Sequence, residues 1–133
     1  MKYDTNLAAE FHVLSLLHRM GYSAYLTLGN KKSVDIVVEV GDRVITIDVK
    51  GMKGSTSWPT DNLPERKPGH FIVLVTFRGK IDDPEYSPEC YVLDLVTAND
   101  LREVNPGGGR NYISYSRVRG SRHLQNWAVL GIK

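Results

Sequence analysis

Asp35, Asp48 and Lys50 stand in the stretch SVDIVVEVGDRVITIDVKG, residues 33–51, which otherwise alternates apolar and polar residues about a Gly-Asp turn. Aspartate is among the residues depleted in strands, so two of them with a lysine nearby call for a reason. Gly41 at the first central position of a two-residue loop predicts a type II′ turn. That turn sets Val40 opposite Arg43, Val38 opposite Ile45 and Ile36 opposite Ile47. One step further, Asp35 falls opposite Asp48. One face then carries Ile36, Val38, Val40, Ile45, Ile47 and Val49. The other carries Asp35, Val37, Glu39, Val44, Thr46, Asp48 and Lys50, with Glu39 expected to face solvent. A one-residue slip would scramble this separation.

Directly opposed strand residues have Cβ atoms roughly 4.5–5.5 Å apart, and like charges there repel. Lys50, one pleat away, offers partial compensation; a divalent cation would offer more. Hard cations such as Mg²⁺ take carboxylate and carbonyl oxygens and complete their shell with water and substrate phosphate. The Val49 backbone carbonyl is a third candidate ligand. Glu10 lies three residues after Leu7 and four before Leu14, at the border of an apolar helical stripe, from where it can point toward the same carboxylates.

These residues need elements to hold them. The stretch NLAAEFHVLSLLHRMG predicts a helix, with Leu7, Phe11, Leu14 and Leu17 as its apolar stripe, N-caps among Asp4 to Asn6 and a stop at Gly21. YSAYLTLG reads as a strand, GNKKS as a polar turn, and the hairpin follows. Residues 51–69 read as a long loop. HFIVLVTF, apolar throughout, predicts a central buried strand. CYVLDL reads as a strand, and VTANDLREV as a short helix starting near Thr97 or Asn99. NYISYS reads as a last strand and SRHLQNWAVL as a closing helix, with Trp127 in the core. The expectation is an α/β (α+β) fold, an N-terminal helix followed by a mixed sheet flanked by helices.

A chain of 133 residues suits one domain, 1–133. Apolar content of 41% and charged content of 24% describe a globular protein rather than a disordered one. No apolar run is long enough to span a bilayer, and the first residues lack the pattern of a signal peptide. A cytoplasmic location without membrane contact is expected. The single cysteine, Cys90, excludes an internal disulfide framework and a cysteine-rich zinc site. The histidines, at 12, 18, 70 and 123, have no metal-ligand spacing. A net charge of +2 does not announce a nucleic-acid binder. From Asn105 onward, however, Arg110, Arg117, Arg119 and Arg122 occur without any acidic residue, a pattern equally suited to a phosphate-facing surface or to a solvated face.

A helix bearing Glu10, an acid at a strand start (Asp35) and Asp48-Val49-Lys50 at the end of the next strand together resemble the PD-(D/E)XK nuclease superfamily, with its restriction-endonuclease-like core. Order and compactness are similar to archaeal Holliday-junction resolvases and to small bacterial members of that fold. The resemblance covers about residues 5 to 77, and Val34 occupies the place where the superfamily often has a proline. It implies an endonuclease hydrolysing DNA phosphodiester bonds with Mg²⁺ or Mn²⁺. Asp35 and Asp48 would hold the metal with the Val49 carbonyl, and Glu10 would hold a metal or its water. Lys50 would position or activate the attacking water and stabilise phosphate charge.

Asn30, Lys31, Lys32 and Ser33 could contact phosphates beside that site or form a solubilising turn. Lys53 lies in the loop after the motif, and so does Trp58, read as lidding a hydrophobic edge rather than stacking on a base. PGGG-Arg110 lacks the lysine of a phosphate loop and reads as a flexible turn. Cutting both strands of a duplex suggests a homodimer. A catalytically silent binding or interaction module on the same fold, such as a partner subunit, remains the alternative. A third reading makes the hairpin acids the wet face of an edge hairpin, where charges discourage aggregation.

Overall fold

The computed structural model describes residues 4–27, 34–105 and 107–131. Helix α1, Thr5–Arg19, is capped by Asp4, whose Oδ1 accepts the Leu7 N–H at 3.0 Å. It ends in Gly21 at φ +89°, the left-handed conformation glycine adopts without strain. Its buried face keeps only part of the expected stripe, with Leu17 buried and Leu14 packed against the core. Ala9, Glu10, Val13 and Leu17 point inward, whereas Leu7 and Phe11 are 44% and 53% exposed. Helical spacing permits either face; the choice falls to the smaller residues because α1 packs closely on the sheet. A Cβ added at Gly51 would lie 2.9 Å from both the Ala9 Cβ and the Thr5 carbonyl oxygen. A leucine in that contact would not fit.

Strands β1 (Ser23–Leu26), β2 (Ile36–Val40), β3 (Arg43–Met52), β5 (His70–Thr76) and β6 (Glu89–Asp94) form one sheet in the order β1-β2-β3-β5-β6. The β2–β3 hairpin has the predicted register, Val40↔Arg43 through Ile36↔Ile47, with Gly41 at φ +62°. β3 and β5 run parallel, and the other pairs are antiparallel. The sheet is therefore mixed, and β5, buried except for Phe71, lies inside it as its apolar run predicts. The hairpin is not at an edge: β3 lies between β2 and β5. That position removes the reading of its acids as edge-strand protection.

The stretch read as one long loop contains β4, Ser57–Pro59, which pairs with β7, Tyr112–Ser114, in a separate two-stranded sheet. Helix α2, Leu95–Leu101, is capped by Asp94, not by Thr97 or Asn99; the Asp94 Oδ1 accepts the Thr97 N–H at 2.8 Å. α3 is a single turn, Tyr115–Val118. The expected closing helix shrinks to a 3-10 turn, Trp127–Leu130. Before it, Gln125 takes φ +54°, which breaks any helix there.

Two apolar layers cover the sheet. On one face Ala9, Val13 and Leu17 of α1, with Trp127 and Leu130, pack on Ile36, Val38, Ile45, Ile47, Val73 and Val75. On the other, β4, β7, α2 and α3 bring Trp58, Ile113, Leu95 and Val118 onto Ile72, Leu74 and Leu93. Among the described residues no helix is long and apolar enough to cross a membrane.

Candidate active site

β3 outruns β2. The ladder stops at Ile36↔Ile47, while β3 continues to Met52. In an antiparallel pair, alternate residues turn both N–H and C=O toward the partner. Ile47 does so, its carbonyl accepting the Asp35 N–H at 3.0 Å. Val49 and Gly51 point the same way but meet no strand. Side chains replace it: Asp35 Oδ2 accepts the Val49 N–H at 2.7 Å, and Asn6 Oδ1 accepts the Gly51 N–H at 3.0 Å. The Val49 carbonyl shares that orientation, into the gap beside α1.

On the second face, β3 carries Asp48 and Lys50 in register with Ile72 and Leu74 of β5. Lys50 Nζ lies 3.1 Å from Asp48 Oδ2, with side-chain exposures of 17% and 21%. Compensation of an aspartate by Lys50, expected from the sequence, is thus a short, half-buried ion pair. Glu10 and Asp35 are buried at 6% and 8% exposure.

A cleft of about 610 Å³ opens at this place. Glu10, Asp35, Asp48, Val49, Lys50 and Asn6 line one side; Pro59, Asp61, Asn62 and Arg110 line the other. The lining thus has four acidic side chains against two basic ones. The donors on the β3 side are oxygens, the carboxylates of Asp35 and Asp48 with the Val49 carbonyl, which suit a hard divalent cation. Among the described residues no three His, Cys, Asp or Glu side chains gather closely enough to hold a metal by themselves. A cation here would rest on two carboxylates and draw its remaining ligands from water and substrate.

His70 borders this region. Its Nδ1 lies 2.7 Å from the Thr46 hydroxyl. Burial holds the imidazole down at about 4, with Lys67 and Lys50 also opposing protonation and Asp35 favouring it. Burial likewise pushes the Cys90 thiol up to about 12, which leaves it a packing residue.

The remaining candidates fall elsewhere. Asn30, Lys31, Lys32 and Ser33 lie outside the described residues. Lys53, Arg117, Arg119 and Arg122 are exposed and do not line the cleft; Arg117 Nη1 donates to the Leu101 carbonyl at 3.0 Å. Trp58 is fully buried, with Nε1 donating to the Val75 carbonyl at 3.0 Å, so it stacks on no base. Of the four arginines read as a possible phosphate-facing surface, Arg110 is the one that lines the cleft; Asn6, Asp61 and Asn62 were missed. An expectation that the second sheet folds back over β3 would have singled out Asp61 and Asn62; Asn6 comes from α1 through its bond to the Gly51 N–H.

No protein-family model matches the chain, and no curated protein matches it. Among solved structures, that of a bacterial homing endonuclease, I-Ssp6803I, is similar with a TM-score of 0.58 and 15% identity, covering 95% of this chain and 90% of that one. At that identity the likeness is one of fold. The chain has a nuclease-like α+β fold.

Proposed function

We propose that the chain is a nuclease of the PD-(D/E)XK type that hydrolyses DNA phosphodiester bonds with Mg²⁺ or Mn²⁺. The observation that carries this reading is the half-buried Asp48–Lys50 pair on an internal strand, lining one cleft with Asp35 and Glu10. The shared fold with a homing endonuclease supports it.

In this reading Asp35, Asp48 and the Val49 carbonyl hold the cation. When bound, the cation supplies Lewis acidity toward a phosphoryl oxygen and eases deprotonation of water. Lys50 turns its ammonium toward the scissile phosphate, where negative charge develops. Glu10, buried at the cleft wall, orients the attacking water. The Asp35 bond to the Val49 N–H fixes the carbonyl beside it, so one aspartate both binds and positions.

Calorimetric titration of Mg²⁺ and Mn²⁺ into the native protein and Asp48→Asn, with cleavage of single-stranded, duplex and branched DNA on the same samples, tests this. The expected result is cation-dependent cleavage that disappears with cation binding in the variant. A native protein that neither cuts any of these substrates nor binds a cation, even with DNA present, would overturn the reading.

A further inference from the structure

Arg110 stands apart from the chemistry on β3, yet it enters the same cleft from another wall. Its position is built. The Gly107–Gly109 turn folds onto Asn105, whose Oδ1 accepts the Gly107 N–H at 3.1 Å and whose carbonyl accepts the Gly108 N–H at 3.3 Å. A Cβ at Gly109 would fall 2.2 Å from Asn105 Nδ2, so the Asn105 side chain in this position sits where only glycine leaves it room. The next residues join β4 and β7: the Thr60 N–H donates to the Asn111 carbonyl at 2.9 Å, and Asp61 Oδ1 accepts the Asn111 N–H at 2.8 Å.

Asp61 thus grips the backbone beside Arg110 with one oxygen. Its other oxygen lies 3.5 Å from Arg110 Nε, with side-chain exposures of 42% and 77%. So long and exposed a pair contributes little stability. A phosphodiester offers a guanidinium two parallel hydrogen bonds in a geometry it fits well. The cleft lining away from β3 therefore includes a largely exposed guanidinium that is only loosely satisfied.

We propose that Arg110 is a positioning residue that exchanges Asp61 for a backbone phosphate of the nucleic-acid strand in the cleft. The inference rests on the nuclease reading. Asp61 keeps the guanidinium on the cleft side until a strand arrives, and the released carboxylate stays anchored through Asn111. Lys50 and Arg110, on different walls, then hold successive parts of one strand.

The test is fluorescence anisotropy of a labelled duplex with Ca²⁺ replacing Mg²⁺, over a salt series, for the native protein, Arg110→Ala, Arg110→Lys and Asp61→Asn. Single-turnover cutting in Mg²⁺ and thermal melts accompany it. Arg110→Ala is expected to bind about tenfold more weakly and to flatten the slope of log affinity against log salt by about 0.9. Its melting temperature should hold, because the side chain is exposed. Arg110→Lys should restore the slope but only part of the affinity, and Asp61→Asn should bind at least as tightly as native. A native protein that binds and cuts while Arg110→Ala keeps its affinity and slope overturns this inference and leaves the nuclease reading standing. If the native protein neither binds nor cuts, titrating inorganic phosphate against the Arg110 side-chain ¹⁵Nε resonance decides. A shift keeps the anion site and discards the nuclease; no shift discards both.

Discussion

At the residue scale, the Asp48–Lys50 pair is poorly explained by stability. Taking two charges partly out of water is costly, and a buried pair often stabilises no more than apolar residues of similar volume. Its separation is 3.1 Å on a strand flanked by two others. The proposed role in catalysis would account for it, and the two partners should then fail differently. Asp48→Asn removes a proposed cation ligand. Lys50→Met keeps the stem packed and removes a positive charge beside that ligand, so cation binding should tighten. Cutting should nonetheless fall by about a hundredfold or more, because stabilisation of developing phosphate charge is lost. Calorimetry and single-turnover rates on both variants check this; Lys50→Met weakening cation binding as Asp48→Asn does would refute the division of roles. His70 yields a pH prediction. Its folded value of about 4 lies below the usual 6.5 of histidine, so the unfolded chain takes up a proton first as pH falls. The stability contributed by the neutral imidazole is complete above 6.5 and drains away toward pH 4. Melts of native protein and His70→Asn across pH 7.5 to 4 should show a shallower decline in the variant. Parallel declines would show that other groups set the slope.

At the element scale, the hairpin was legible because a strand's period of two and a two-residue turn leave one register that separates apolar from charged residues. The acids stood out for the same reason, since aspartate is depleted in strands, but Asp35 is not set opposite Asp48 as expected: the ladder ends at Ile36↔Ile47, and Asp35 turns its carboxylate to the Val49 N–H. Helix α1 was placed correctly, but its face only in part: Leu14 and Leu17 meet the core, and Leu7 and Phe11 do not. Leucine and phenylalanine dominate a hydrophobic count, whereas Ala9 is inside because Gly51 lets the backbone approach. That contact joins residues far apart in sequence and leaves no local pattern. The β4–β7 pair was half hidden for a similar reason, each strand being three residues long. The gap left where β3 outruns β2 gives Asp35 a structural task beside its proposed chemical one. Asp35→Asn keeps an oxygen for the Val49 N–H, whereas Asp35→Ala leaves that donor without its 2.7 Å bond. Denaturant melts should place Asp35→Ala about 1–3 kcal/mol below native and Asp35→Asn well above Asp35→Ala, while both lose cation affinity. Equal destabilisation of the two would mean the bond to Val49 is not what holds β3 there.

At the scale of the whole molecule, the cleft lies where two independently packed layers meet. α1 and the β2–β3 edge supply one wall, and the small β4–β7 sheet supplies the other. Trp58 ties that second wall to the main sheet. It is fully buried, donates to the Val75 carbonyl, and meets Tyr91 and Tyr115 at ring-centroid distances of 6.3 and 6.1 Å. Trp58→Phe keeps most of the ring volume but removes one bond to the Val75 carbonyl, at a cost of about 1 kcal/mol; Trp58→Ala adds a cavity, for about 3–5 kcal/mol in all. The damage should be local before it is global, because opening free energies differ between packed units. In Trp58→Phe, hydrogen exchange should quicken at residues 57–62 and 111–114 while β3 and β5 stay protected. On the proposed reading, cation affinity, seated on β3, should hold, and duplex affinity, which would draw on Arg110 on the loosened wall, should drop. Exchange that quickens evenly across both sheets would show instead that the two layers open as one unit, and that the cleft has no wall able to move independently of its carboxylates.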